Sequence, residues 1–386
     1  METPPRTRIS SSLSVSAHRE DGYEVVHGPG LLDRFGDLLR ATCGQVAVTV
    51  LTDGRVHDLY GERMAASLQR VGLPPQWIVV ADGERSKTMA TFGFVLGELL
   101  RFGMDRRSVL VNFGGGVISD LGGFAASAHL RGIRYANFAT SMIAQVDASV
   151  GGKVAVNVDA GKNLVGAFHH PCLVAADATL LRTLGDRDFK SGIAEVIKIA
   201  ILSSPDLFAM LQREQAALIA RDADALSRIA AEAVRLKMEL VAKDPYEQDL
   251  RRVLNLGHTL GHPIETDFAY QDVRHGEAVA VGMAIATIVA HRRGLIARAD
   301  CIAILDLIEC YALLGCVGPL EPTAILQHLR CVRLVRAQEL HFVLPTAIGA
   351  VTITSDVEDG ELVRSFELYE QIVGDRRDGK AWEASL

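Results

Sequence analysis

The sequence predicts an α/β protein: an N-terminal parallel-sheet domain followed by a mainly α-helical C-terminal domain. Three observations predict it. Short β-branched runs alternate with helical stretches in the first half. Long amphipathic stretches dominate from about residue 188. A triple glycine joins a strand to a helix at 114–116. Alternation of strand and helix implies a parallel sheet covered on both faces.

The elements follow in order. QVAVTVLTD (45–53) reads as a buried strand ending in Thr52 and Asp53, and RMAASLQRVG (63–72) as a helix closed by Gly72. QWIVVADGE (76–84) is a second strand and MATFGFVLGELLRFG the helix after it. SVLVNFGGG (108–116) is a third strand running into glycines. The helical stretches are 188–201, 205–243, 249–266, 275–295, 298–314 and 322–330, with a late hairpin at 339–354. These patterns divide the chain into an arm (1–20), an α/β domain (21–187) and a helical domain (188–386), with the cleft between the domains as the default site.

Bulk properties narrow the function. A chain of 386 residues suits two domains or one large one. Its 49% hydrophobic and 23% charged content is that of an ordinary globule. A net charge of −7 and a pI near 6.0 argue against nucleic acid as partner. The apolar run 278–290 is too short to span a bilayer and reads as a buried core helix. The Ser-rich first 20 or so residues lack the apolar core of a signal peptide. Six cysteines without a C-x-x-C pair need no disulfide framework, so a reducing cytoplasm is expected.

Three stretches carry chemistry. In VNFGGGVISDLGGFAA, Gly114, Gly115 and Gly116 let a phosphate approach the amides at a helix N-terminus, with Asp120 in the first turn. This Rossmann-like turn is not the usual G-x-G-x-x-G, and a tight turn alone would also explain it. The segment 138–171 sets Asp147, Lys153, Asn157, Lys162 and Asn163 among glycines and small residues. Lysines in such a frame suit a phosphorylated, polyhydroxylated ligand. In NLGHTLGHPIE (255–265), His258 and His262 stack on one helix face with Glu265 close by. That face could hold a metal, a substrate or two satisfied core histidines.

Together these stretches resemble the sugar phosphate cyclases, most closely the 3-dehydroquinate synthases. The resemblance rests on GERSKT (83–88), GGGVISDLGGFAA (114–126), LRG (130–132), AQVDASVGGK (144–153), GKNLVGAFHHP (161–171), GIAEVIK (192–198), LNLGHTLGH (254–262) and HGEAVAVGM (275–283), in family order. It implies a dehydroquinate synthase-like fold, a homodimer, NAD, and a divalent metal, zinc or alternatively cobalt. Glu195, His258 and His275 match the family's metal ligands. Asp53, Glu84, Lys87, Gly115, Gly116, Val117, Asp120, Thr140, Ser141, Lys162 and Thr179 match its NAD contacts. Asp147, Lys153, Asn163, Lys198, Lys237, Arg251, Asn255 and His262 match its substrate contacts. Arg131 would reach the phosphate bound by the second subunit. The implied reaction is transient oxidation by NAD, β-elimination of phosphate, re-reduction, and an intramolecular aldol step that closes a carbocycle. The counterparts of Lys237 and Arg251 hold a substrate carboxylate, so the pair favours a 3-deoxy-heptulosonate 7-phosphate. Cyclases acting on sedoheptulose 7-phosphate tend to lose it.

The sequence departs from the family pattern at Ala139, Ser141, Val154-Ala155 and Pro263, and at Arg333-Leu334, where a Lys-Lys pair is usual. The alternatives are therefore a sedoheptulose 7-phosphate cyclase of secondary metabolism, a metal alcohol dehydrogenase of the glycerol dehydrogenase type, and a non-catalytic paralogue.

Overall fold

The computed structural model describes residues 22–159, 161–246, 250–268, 273–335 and 340–386. The expected N-terminal arm lies outside them. In the first half the elements are β1 (Glu24–His27), α1 (Leu31–Cys43), β2 (Val48–Asp53), α2 (Gly54–Arg70), β3 (Pro75–Val80), α3 (Met89–Arg101), β4 (Val109–Gly114), α4 (Gly116–Ala128) and β5 (Arg134–Ala139). A hairpin of β6 (Lys153–Val158) and β7 (Gly161–Phe168) and a last strand β8 (Leu173–Ala176) follow.

Six strands form one parallel sheet in the order β1-β8-β5-β4-β2-β3. Both faces are covered, so β2 is buried except at its last residue and β4 throughout, rather than alternating buried and exposed. On one face Leu32, Phe35 and Leu39 of α1 and Met64 and Leu68 of α2 pack on Val50, Val111 and Phe138. On the other, Val95 and Leu99 of α3 and Ile118 and Leu121 of α4 pack on Leu51, Leu110 and Tyr135. From β2 the chain moves outward to β3. From β4 it moves the opposite way to β5. The switch point therefore lies between the C-terminal ends of β2 and β4, where an open parallel sheet binds its ligand.

The remaining elements are α5 (Asp186–Ser203), α6 (Pro205–Arg213), α7 (Gln215–Ile219), α8 (Ala223–Lys243), α9 (His258–Asp267), α10 (His275–Arg292), α11 (Arg298–Cys310), α12 (Pro322–Val335), the antiparallel pair β9 (Phe342–Ala347) and β10 (Ala350–Thr354), and α13 (Asp359–Arg377). The axis of this half is α10, buried without interruption from Gly276 to Ala290. Its approach to α9 is set by glycine: a Cβ at Gly282 would stand 2.0 Å from the Gly257 carbonyl oxygen. Gly257 itself is left-handed at φ 78° and precedes His258, so this contact places the first ligand candidate.

The strand–helix alternation, the helical second half and the hairpin at the end match the sequence reading. The boundaries differ for physical reasons. Helix α2 starts at 54 rather than 63, because Asp53 caps it through Val56 N at 2.9 Å and the polar first turns hide the period. The stretch 205–243 is three helices, restarted at Ser204, whose side chain caps α6, and at Asp222, which caps α8. The stretch 249–266 divides into a 3-10 segment (Leu250–Asn255) and α9. Among the described residues no helix is long and apolar enough to cross a membrane.

Replacing Gly282 with Ala forces α9 and α10 apart. It should cost about 1–3 kcal/mol or more and lower the melting temperature, read by circular dichroism.

Candidate active site

Three groups on three helices converge. Glu195 sits mid-way along α5 and is 1% exposed. His258 and His275 are the first residues of α9 and α10. Glu195 Oε1 lies 3.8 Å from His258 Nε2 and 3.5 Å from His275 Nε2, and the three candidate ligand atoms fall within 4.8 Å of one another. A tetrahedral ion with bonds of about 2.0–2.1 Å needs ligand atoms roughly 3.3 Å apart. The second ring nitrogens decide the tautomers. His258 Nδ1 meets the Leu256 carbonyl at 3.1 Å, and His275 Nδ1 meets Glu265 Oε2 at 3.1 Å. Both acceptors lack a proton, so each Nδ1 carries the hydrogen and each Nε2 presents a lone pair. Glu195 Oε1 is buried and accepts no hydrogen bond from any described residue. Two lone pairs and a carboxylate facing one point fit a divalent cation.

Electrostatics treat the two imidazoles differently. Burial and the neighbouring Lys198 ammonium, then His275 and His262, hold His258 well below the ordinary imidazole range. Burial opposes charge on His275 too, but the Glu265 and Glu195 carboxylates raise it overall. Lys198, one turn after Glu195 on α5, ion-pairs with Glu195 Oε2.

Cations ring the neighbouring space. Lys237 of α8 pairs with Asp147 and also donates to the Asp147 carbonyl at 2.6 Å. Asp147 lies in a single π-helical turn (Ala144–Ala148), a form common at functional sites. Gln145 pins that turn over the sheet by donating to Ala139 O at 3.2 Å and Asp177 O at 3.0 Å. Burial would raise Asp147, but Lys237 and Lys198 hold it far below the usual carboxylate range. Arg251, 2% exposed, donates from Nη1 to Gly151 O at 3.0 Å and Pro245 O at 2.9 Å, while its Nε has no partner among the described residues. Gly151, at φ 93°, is required here: a Cβ would meet Arg251 Nη2 at 2.4 Å. Lys153 is the first residue of β6. Desolvation, then the Arg251 and Lys237 charges, push it down to about 7.

Across the switch point, Gly115 precedes α4 without any side-chain cap, leaving that helix's first amides to a ligand. Ser141 Oγ would stand 3.1 Å from a Cβ at Gly115, and Ala148 Cβ 3.2 Å from one at Gly116, so the cradle admits only glycine comfortably. Val117 opens α4 beside them, and Thr140 is buried at the end of β5. Lys87 is buried, pairs with Asp120 and donates to Asn163 Oδ1. Glu84 accepts from Asn157 Nδ2 at 2.8 Å.

Not every candidate joins these groups. Arg131 lies on an exposed turn at φ 68° and forms no ion pair with these groups among the described residues. The Thr179 hydroxyl is taken by Asp177 at 2.6 Å. Lys162 reaches Glu265 at 2.8 Å and Glu84 at 3.9 Å. Asp53 serves as the α2 cap with one carboxylate oxygen. The His262 ring stacks on His275 at 5.9 Å and lies edge-on to His258 at 5.3 Å, on the open side of the cluster. Asn255 closes the 3-10 segment that carries Arg251. The sequence marks Glu265 only as a neighbour of the histidine pair. Its place three residues after His262 was the available signal. The departures have partial accounts: Val154 is buried against Gly123, and Pro263 removes one backbone bond inside α9. The side chains of Arg333 and Leu334 lie outside the described residues.

The chain is similar to known proteins over most of its length. A family model described as 3-dehydroquinate synthase N-terminal matches residues 77–191, and one described as 3-dehydroquinate synthase C-terminal matches 192–331. A 2-epi-valiolone synthase of Stigmatella aurantiaca is 41% identical over 369 residues, covering 92% of this chain and 91% of that protein. A 3-dehydroquinate synthase of Caulobacter vibrioides is 39% identical over 350 residues, covering 89% and 95%. The solved structure of 2-epi-5-epi-valiolone synthase from Streptomyces hygroscopicus subsp. jinggangensis 5008, with NAD+ and Zn2+ bound, matches with a TM-score of 0.85 at 30% identity, over 93% of this chain and 99% of that one.

Lys237→Met would leave Asp147 without its main counter-charge, at a cost of about 3 kcal/mol at neutral pH. The folded pKa of Asp147 is depressed, so the pair stabilises in full above the unfolded carboxylate value of 3.8 and fades as pH falls from there toward the lower folded value. Urea titrations of both proteins should show the gap steady between pH 7 and about pH 5 and closing below about pH 4.

Proposed function

The chain belongs to the 3-dehydroquinate synthase family and is therefore a sugar phosphate cyclase, and we propose that it converts a 3-deoxy-heptulosonate 7-phosphate to a carbocycle with release of phosphate. One observation carries this reading: the Glu195–His258–His275 donor set faces a cation-lined space in which Lys237 and Arg251 are both present. Bound there, a divalent metal would act as a Lewis acid on a ring oxygen while NAD accepts and returns a hydride. The chain's own residues do the rest. Lys153, Lys198 and Lys237 supply charge to the anionic ends of the substrate, and Arg251 offers the fork that suits a carboxylate. Asn163, Asn255 and His262 supply neutral donors and acceptors for hydroxyls and phosphate. Asp53, Glu84, Lys87, Asp120, Thr140 and Ser141, with the amides after Gly115 and Gly116, would seat the dinucleotide. Held among these groups, the substrate would be oriented and shielded from water.

We take the domains to divide near residue 187, the enzyme to work in the cytoplasm, and the assembly to be a homodimer in which Arg131 serves the second subunit. A second reading, a sedoheptulose 7-phosphate cyclase, is favoured by the 41% identity to a 2-epi-valiolone synthase.

Incubation with each heptulose phosphate, scored by phosphate release, separates the two. Turnover of the 3-deoxy acid is expected, and turnover of sedoheptulose 7-phosphate alone overturns the substrate assignment. Absorbance of NADH should show no net accumulation, whereas steady accumulation would mark a dehydrogenase. Chelation should abolish phosphate release and zinc restore it.

Arg251→Lys keeps the charge but loses the fork. It should raise KM for the carboxylate-bearing substrate about 10–100-fold, measured on protein whose melting temperature matches the wild type.

A further inference from the structure

We propose that Glu265 is a positioning residue for the metal ligand His275 and that Lys162 ties this carboxylate to the cofactor side of the cleft. The proposal rests on the reading that Glu195, His258 and His275 hold a divalent metal.

Glu265 is 1% exposed, and its two oxygens serve two different elements. Oε2 meets His275 Nδ1 at 3.1 Å, at the N-terminus of α10. Oε1 accepts from Lys162 Nζ at 2.8 Å, on β7. The first contact fixes what the metal sees. A hydrogen bond at Nδ1 sets the tautomer, stops the ring from flipping and aims Nε2 at Glu195 Oε1. Partners of this kind raise ligand basicity and typically carry a 10–100-fold share of metal affinity. His258 receives the same service from a backbone carbonyl, which no side-chain change can remove. His275 alone depends on a side chain.

The second contact reaches further. Lys162 belongs to the β6–β7 hairpin, which is stitched to the segment assigned to NAD. Asn157 N donates to Lys87 O at 2.9 Å, Asn157 Nδ2 to Glu84 Oε1 at 2.8 Å, and Asn163 N to Asn157 Oδ1 at 3.0 Å. Lys87 in turn donates to Asn163, the residue after Lys162. The charge that holds Glu265 is thus placed by the loop that would line the dinucleotide. Seating the dinucleotide therefore favours the ring orientation that binds metal, and by linkage the metal favours the dinucleotide to the same degree.

Zinc affinity of the purified full chain is measured by competition with a chromophoric chelator, with and without NAD and without substrate. Glu265→Ala should weaken zinc about 10–100-fold and change the visible spectrum of the Co2+-loaded protein. Glu265→Gln keeps an acceptor oxygen at the same place and should recover part of the loss. NAD should tighten zinc about 5-fold or more in the wild type, and Lys162→Met should abolish that effect. Folded Glu265 variants with wild-type zinc affinity and an unchanged Co2+ spectrum overturn the positioning role. A wild-type NAD effect in Lys162→Met overturns the tie to the cofactor side. A wild-type chain that binds neither zinc nor NAD refutes the functional reading instead.

Discussion

The cost of burying the Glu195 carboxylate organises the site. An ionised carboxylate removed from water is tolerated only beside compensating charge. Lys198 provides it on one oxygen, and the imidazoles of two helix N-termini face the other. Each of these partners sits where it does because of packing elsewhere. His258 starts α9 because Gly257 can turn against α10, and His275 starts α10 because Arg274 and Glu277 close that helix's first turn. A charge problem at one side chain is solved by backbone geometry at several.

The two halves supply different kinds of precision. The parallel sheet holds glycines and a helix N-terminus at its switch point, a site made of backbone. The helical half offers side chains on long, well-buried helices, a site made of charges. The π turn at Asp147 and the hairpin carrying Lys153 and Lys162 lie between them. They bring N-terminal residues against Lys237, Arg251 and Glu265 of the helical half.

Much of this was legible beforehand. Strand and helix alternation is written in apolar runs, and those runs are long because both sheet faces are covered. The convergence of Glu195, His258 and His275 was legible only through the resemblance, since the three are far apart in sequence and share no local period. What stayed hidden was mostly pairing. Nothing at Lys162 announces a carboxylate 103 residues away. The edge strands β1 and β7 are short or solvent-facing, so their patterns were weak. Helix α13 went unassigned because its polar residues dilute the period, although Leu362, Phe366, Tyr369 and Ile372 anchor it.

The β6–β7 ribbon has only two strands and belongs to neither the six-stranded sheet nor the helical bundle. A two-stranded ribbon has little stability of its own and leans on what it touches. Here it leans on α4 through Val154 and Val156. Detaching it exposes far less apolar surface than unfolding either half. Heat or mild denaturant should therefore silence the protein before the bulk of its secondary structure is lost, and cooling should bring it back.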